Sequence, residues 1–239
     1  RLFTDGAAWT TDAMQADLGG VAKGFAVDAA YDRLVAAGTT NMLINLGGNI
    51  RVGGRPNPGR QWKIGVRDPF HRDQTVGAIT LPPGWSLSTS GNYERTVEID
   101  GKRYAHIVDP RSGLPVEGMA GVTVLCPTAT AADALSTALF VVGMDGIAAL
   151  LARLPECEAI IIPDRIPLEL WVTDGILPLL DILPAHRASL HSLARPLEPP
   201  KAQQSDQRMG RHDDLPATKA ATNLAEAERL LINHEDPST

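Results

Sequence analysis

Residues 122–162, VTVLCPTATAADALSTALFVVGMDGIAALLARLPECEAIII, decide the architecture of this chain. The run 122–125 reads as a short apolar strand, and beyond Pro127 the pattern turns helical. Ala131, Ala132, Ala134, Leu135, Ala138, Leu139, Phe140 and Val141 make that helix apolar almost all round, which puts it deep in a core. Gly143 is expected to end it, a second helix is expected over 146–154, and residues 159–162 return to a strand pattern. Outward from this stretch, strands are expected at 41–46, 50–52, 62–67, 78–81, 96–99, 103–108 and 168–172. A helix is expected over 21–37, with Gly38 where a C-cap glycine belongs. Strands cluster instead of alternating one for one with helices. That grouping predicts an α+β fold, not a doubly wound parallel sheet.

Inside the apolar helix stand Asp133 and Thr137, four residues apart and therefore one above the other on one face. A buried carboxylate beside a hydroxyl needs a partner. A hard cation such as Mg²⁺ suits both oxygens. A purely local arrangement suits them as well, with Thr130 and Asp133 forming a capping box and Thr137 bonding back to a carbonyl one turn earlier. On these residues alone both readings stand.

Composition narrows the function classes. The chain has 239 residues, 44% of them apolar and 21% charged, as in a globular protein large enough for one sizeable core or two small ones. Its formal net charge of −6 supplies no field that would draw in a nucleic-acid backbone, which sets nucleic-acid binding aside. Uninterrupted apolar runs of the roughly 18–20 residues that span a bilayer are lacking. Cys126 and Cys157 can form one bridge but make neither a disulfide framework nor a zinc site, so the redox compartment stays open. The first residue is Arg1, not Met, from which a processed chain, a domain excerpt or a gene fragment is expected.

Residues 1–183 are expected to fold as one domain. From 184 the composition shifts to Pro184, Pro196, Pro199 and Pro200 and then a polar run, read as a mobile tail over 184–239 with a possible short helix at 220–233. Within the folded part, four further segments have chemical character. Asp17-Leu18-Gly19-Gly20-Val21-Ala22-Lys23-Gly24 is glycine-rich and opens a helix, offering free N–H groups to an anion. A tight turn with Lys23 and Asp28 on a solvated helix face explains it equally well. Asn45-Leu46-Gly47-Gly48-Asn49 puts two glycines within a strand pattern, the usual mark of a bulge or a closely approaching backbone. Ser88-Thr89-Ser90-Gly91-Asn92 reads as a turn, or as a hydroxyl-rich seat for phosphate. His106 ends a strand before a rigid Asp109-Pro110 turn, as either a general base or a structural histidine.

The order and spacing of these pieces resemble the ApbE-type flavin transferases, the FAD:protein FMN transferases. The resemblance is carried by DLGGVAKGFAVD (17–28), INLGGN (44–49), STSGNYER (88–95), HIVDPRSGLPV (106–116) and PTATAADALSTALFVVG (127–143), over roughly residues 5–180. It implies FAD as substrate, Mg²⁺, and transfer of FMN to a threonine or serine hydroxyl of an acceptor protein, with AMP released. Carried over residue by residue, it implies a metal site of Asp133 and Thr137 with the Gly20 carbonyl. It further implies Lys23, Asp28, Ser90, Gly91 and Ile107 beside the flavin nucleotide, and His106 as catalytic base. Family members work on the periplasmic side of the bacterial inner membrane. They also carry a segment ahead of the first motif, so this chain is expected to be N-terminally incomplete. Two alternatives share the same residues: hydrolysis of FAD to FMN and AMP, and a truncated, non-catalytic flavin-binding relative.

Overall fold

The computed structural model describes residues 2–3, 6–7, 17–71, 73–93, 96–99 and 102–194. The expected helix at 220–233 and most of the expected tail lie outside these residues.

In chain order, a short hairpin of β1 (Leu2–Phe3) and β2 (Gly6–Ala7) is followed by helix α1 (Ala22–Ala36). Gly38 follows α1 at φ 86°, and the N–H groups of Gly38 and Thr39 bond back to the Val35 and Leu34 carbonyls, so the helix stops where its glycine said it would. Next come β3 (Met42–Leu46), β4 (Asn49–Gly53), β5 (Trp62–Arg67), β6 (Thr75–Leu81) and β7 (Ser86–Gly91). The hairpin β8 (Thr96–Ile99) and β9 (Lys102–Ala105) precedes a small one of β10 (Val108–Asp109) and β11 (Leu114–Pro115). Then follow β12 (Met119–Cys126), α2 (Ala129–Leu151), β13 (Glu158–Pro163), β14 (Leu170–Val172), β15 (Leu180–Ile182) and β16 (Leu190–Ser192).

The main sheet has seven strands in the order β16-β14-β13-β12-β7-β4-β3, antiparallel except for the β14–β16 pair. Alternation along its central strands builds two cores. Val122, Val124, Ala159 and Ile161 share one with Leu135, Leu139, Phe140 and Ile147 of α2. Ala120, Leu125, Ile160 and Ile162 share the other with Val66, Val76 and Ile79 of the three-stranded sheet β15-β6-β5. The α+β class is thus observed, as layers of helix, main sheet and second sheet. By length and composition α2 would suit a membrane span, yet here Leu135, Leu139, Phe140, Ile147 and Leu151 are buried against the sheet.

Several expectations are corrected. Gly47 and Gly48 are not a bulge: Leu46 pairs with Asn49, and both glycines have positive φ (56° and 89°), as a two-residue type I′ hairpin requires. Residues 88–91 are not a turn but part of β7, in the middle of the main sheet. Hydroxyl side chains masked the strand, because their polarity hides the usual apolar alternation. One expectation in this stretch holds: Gly143 leaves helical geometry (φ 66°, ψ −178°), so the span called α2 is two helices meeting at a kink there. The ordered chain also runs past the expected boundary at 183. Pro184 starts a 3₁₀ turn, where its missing N–H costs nothing, and β16 then joins the main sheet beside β14. Cys126 and Cys157 are joined in a disulfide, both buried, closing the β12–α2–β13 unit at its two ends.

Candidate functional site

The site is built where α1 crosses the start of α2. At Gly24 a Cβ would stand 2.7 Å from the Ala129 carbonyl carbon and 2.8 Å from the Asp133 Cβ, so only glycine lets the helices approach this closely. The approach lets the Gly24 N–H donate to Asp133 Oδ2 at 2.9 Å. The other carboxylate oxygen, Oδ1, lies 3.6 Å from Lys23 Nζ, which also donates to the Gly19 carbonyl at 3.2 Å. Asp133 is 3% exposed, so its charge is held by these partners with little help from water.

The glycine loop ahead of α1 is shaped by Asp17, whose Oδ1 accepts from the Gly19 N–H at 2.6 Å in an Asx-type turn. It brings Gly20 against α2: a Cβ on Gly20 would be 3.4 Å from Thr137 Oγ1. The Gly47-Gly48 turn closes in from the sheet side, within 3.7 Å of the Lys23 Cδ by the same measure at Gly47. From below, β7 supplies Ser90, whose Oγ lies 3.3 Å from Thr137 Oγ1.

The local alternatives weighed from sequence divide. The residue that caps α2 is Thr128, accepting from the Ala131 N–H at 3.2 Å, so Thr130 and Asp133 form no capping box. Thr137 does bond back, donating to the Asp133 carbonyl at 3.2 Å. Thr130 turns to α1 instead: its hydroxyl donates to Asp28 Oδ2 at 2.6 Å. Asp28 also accepts from the N–H groups of Ala129 and Thr130 at 2.9 and 2.8 Å and from Arg51 Nη1 at 2.6 Å. It therefore neutralises the open N-terminus of α2 from another helix. Burial pushes the Asp28 carboxyl up, but the Thr130 hydroxyl, the two N–H groups and the Arg51 guanidinium outweigh it and hold it below the usual carboxylate range.

Gly20, Lys23, Asp133, Thr137 and Ser90 are thus gathered at one junction. Gly91 points to the opposite face of β7, where the Tyr93 ring covers it: a Cβ there would be 2.5 Å from Tyr93 Cε1. Ile107 is buried in the core on the α2 side. His106, just before it, is exposed at the end of β9. The turn after His106 is braced by Arg111, which pairs with Asp109 at 2.8 Å and donates to the Val141 carbonyl at 3.2 Å. Hydrogen bonds from Arg111 hold the Asp109 carboxyl below its ordinary range. Val141, one turn along α2 from Thr137, lines an open cleft of about 540 Å³ with Tyr104, Asp109 and Arg111.

Sequence reading missed Gly24 as the crossing residue and Ser136, whose Oγ lies 2.9 Å from Ser90 Oγ. A signal for the second existed in the period-two serines 86, 88 and 90 and in Ser136 beside Thr137.

Fold and site together define an α+β sandwich with an oxygen-lined junction at a helix crossing, flanked by a glycine loop and a lysine. The ApbE family model matches residues 4–161, and the chain belongs to that family. Among relatives, an FAD:protein FMN transferase of Treponema pallidum is 40% identical over 162 residues, covering 64% of this chain and 45% of its own length. One of Rhodobacter capsulatus is 45% identical over 131 residues, covering 55% of this chain and 25% of the relative. The apo crystal structure of the Pseudomonas stutzeri flavinyl transferase ApbE superposes with a TM-score of 0.58 at 34% identity, over 69% of this chain and 51% of that one. The chain spans from a quarter to about half the length of these relatives.

Proposed function

We propose that the junction of Gly20, Asp133 and Thr137 holds Mg²⁺ against the diphosphate of FAD, and that the protein moves FMN from FAD to a threonine or serine hydroxyl of an acceptor protein. The observation carrying this reading is the convergence of the Gly20 loop and the Asp133/Thr137 turn, 3.4 Å apart by the Gly20 Cβ measure to Thr137, although Gly20 precedes Asp133 by 113 residues and Thr137 by 117.

The donor set fits such an ion. Every candidate ligand is a hard oxygen, and an ammonium already sits 3.6 Å from the carboxylate, so the position favours positive charge. Among the described residues no cluster of three or more His, Cys, Asp or Glu side chains stands ready to enclose a metal. One carboxylate with neutral oxygens suits Mg²⁺, which usually keeps waters and takes further ligands from substrate phosphates. When bound, the ion would supply Lewis-acid stabilisation of the diphosphate oxygens.

The rest of the chemistry belongs to the chain. The Lys23 ammonium and the positive end of the α1 dipole receive phosphate charge. His106 takes the proton of the acceptor hydroxyl as its oxygen bonds to the phosphorus of the FMN half. The bond from that phosphorus to the AMP oxygen breaks, and AMP leaves. Positioning and electrostatics account for most of such a transfer, and a base of this kind adds about 10²- to 10⁴-fold. We assign the reaction to the periplasmic side of the inner membrane. The buried Cys126–Cys157 disulfide supports an oxidising compartment.

The test is incubation with FAD, Mg²⁺ and an acceptor protein, reading covalent flavin by in-gel fluorescence and AMP by chromatography. Asp133→Ala should abolish labelling, and His106→Ala should slow it about 10²- to 10⁴-fold while FAD affinity changes little. Free FMN with AMP and no labelled acceptor would make the protein a hydrolase; turnover undiminished in Asp133→Ala would reject the site.

A further inference from the structure

The hydroxyls beneath the junction form a chain whose protons can be counted. Ser136 Oγ lies 3.0 Å from the Asp133 carbonyl oxygen, 2.9 Å from Ser90 Oγ and 3.3 Å from Ser88 Oγ. Ser136 and Ser88 are 0% and 1% exposed, so water does not share in these bonds. Ser90 Oγ lies 3.3 Å from Thr137 Oγ1, which is 3.2 Å from the same Asp133 carbonyl.

Each hydroxyl has one proton and two lone pairs, whereas a carbonyl only accepts. The Asp133 carbonyl can take the Ser136 and Thr137 protons together, and each serine–serine contact fits either donor. In the arrangement that sends the Ser136 proton to the carbonyl, both Ser136 lone pairs are open to Ser88 and Ser90, the Ser90 proton is spent on Ser136, and Thr137 receives none from below. Thr137 donates inward, to Ser90 or to the carbonyl, and none of these contacts occupies its lone pairs.

We infer that Ser136 is a positioning residue: by absorbing the protons of Ser88 and Ser90 it keeps Thr137 in the donating orientation that leaves its lone pairs for a cation. The inference rests on the Mg²⁺ reading above and adds to it the residue that sets the ligand's orientation. Without the Ser136 hydroxyl, the Ser90 proton has Thr137 Oγ1 as its neighbouring oxygen and takes one of those lone pairs. Outer partners of this kind typically set metal affinity by 10- to 100-fold.

The experiment is calorimetric titration of the full chain with Mg²⁺ alone, beside thermal melts. Thr137→Ala should lose binding. Ser136→Ala should weaken it about 10- to 100-fold while still melting cooperatively. Ser136→Cys, which keeps the shape but has only a weak donor, should fall between Ser136→Ala and wild type. Ser88→Ala removes a buried hydroxyl contact to Ser136 but not the Ser90 route, so it should lower the melting temperature and leave Mg²⁺ affinity unchanged. Wild-type affinity in Ser136→Ala with loss in Thr137→Ala overturns the positioning role alone. Equal losses of affinity in Ser88→Ala and Ser136→Ala also overturn it, because they mark a merely structural effect. No Mg²⁺ binding by the wild type, or full binding by Thr137→Ala, overturns the cation reading and this inference with it.

Discussion

Gly24→Ala sets two physical effects of opposite sign against each other. By helix propensity alone, alanine within α1 is worth about 1 kcal/mol over glycine, and the variant would be more stable. The crossing says otherwise. The added methyl would stand 2.7 Å from the Ala129 carbonyl carbon and 2.8 Å from the Asp133 Cβ, against a comfortable carbon–carbon separation of about 3.5–4.0 Å. The helices would have to part by roughly 1 Å. Overpacking of that kind costs about 1–3 kcal/mol. Stretching the 2.9 Å bond from the Gly24 N–H to the buried Asp133 carboxylate adds about 1.5–3 kcal/mol. Less the propensity gain, the variant should be less stable by about 1.5–5 kcal/mol. At roughly 2–4 °C per kcal/mol for a domain of this size, Tm should fall by about 3–20 °C. Thermal melts by circular dichroism measure this, with Ala26→Gly, at an exposed position of α1, reporting propensity alone. A Gly24→Ala protein that melts at or above the wild-type temperature refutes the close crossing and the geometry of the site built on it.

Two more perturbations probe the frame. Asp28 carries four hydrogen bonds at the start of α2, so Asp28→Asn should cost about 2–4 kcal/mol at pH 7 by removing the charge opposite Arg51 and setting an amide donor against N–H groups. Because the folded carboxyl is held below its ordinary value, its contribution is complete above about pH 4 and fades as the pH falls through the folded value. The gap between variant and wild type should therefore close in acid, and a constant gap from pH 7 to pH 2 in urea titrations would contradict the assignment. Reducing the Cys126–Cys157 bridge, or replacing both residues by serine, frees a loop of sequence separation 31 and should cost about 3–4 kcal/mol. Melts with and without reductant check it, and identical melting curves would show that the bridge does not stabilise this unit.

Much of the fold was legible because its signals are local. Apolar periodicity marked α1 and α2, alternation or short apolar runs marked β5, β12 and β13, and Gly38 marked the end of α1. The failures also have local causes. Ser86, Ser88 and Ser90 are polar yet face a buried junction, so β7 lacked the apolar face that announces a strand. Gly47 and Gly48 permit several backbone states, and only pairing of Leu46 with Asn49 selects the hairpin.

For the site, the inventory is legible along the chain: a carboxylate and a hydroxyl one helical turn apart, a glycine loop at a helix start, a histidine before an Asp-Pro turn. Which of these groups meet is settled only by packing. Asp133 finds the N–H of Gly24 across 109 residues, and Asp28 leaves its own helix to close the open end of another. Local preferences act over a turn or two of chain, whereas these pairings follow from how closely two helices can pack. That distance is decided by a missing side chain at one position, whose effect no local pattern can express.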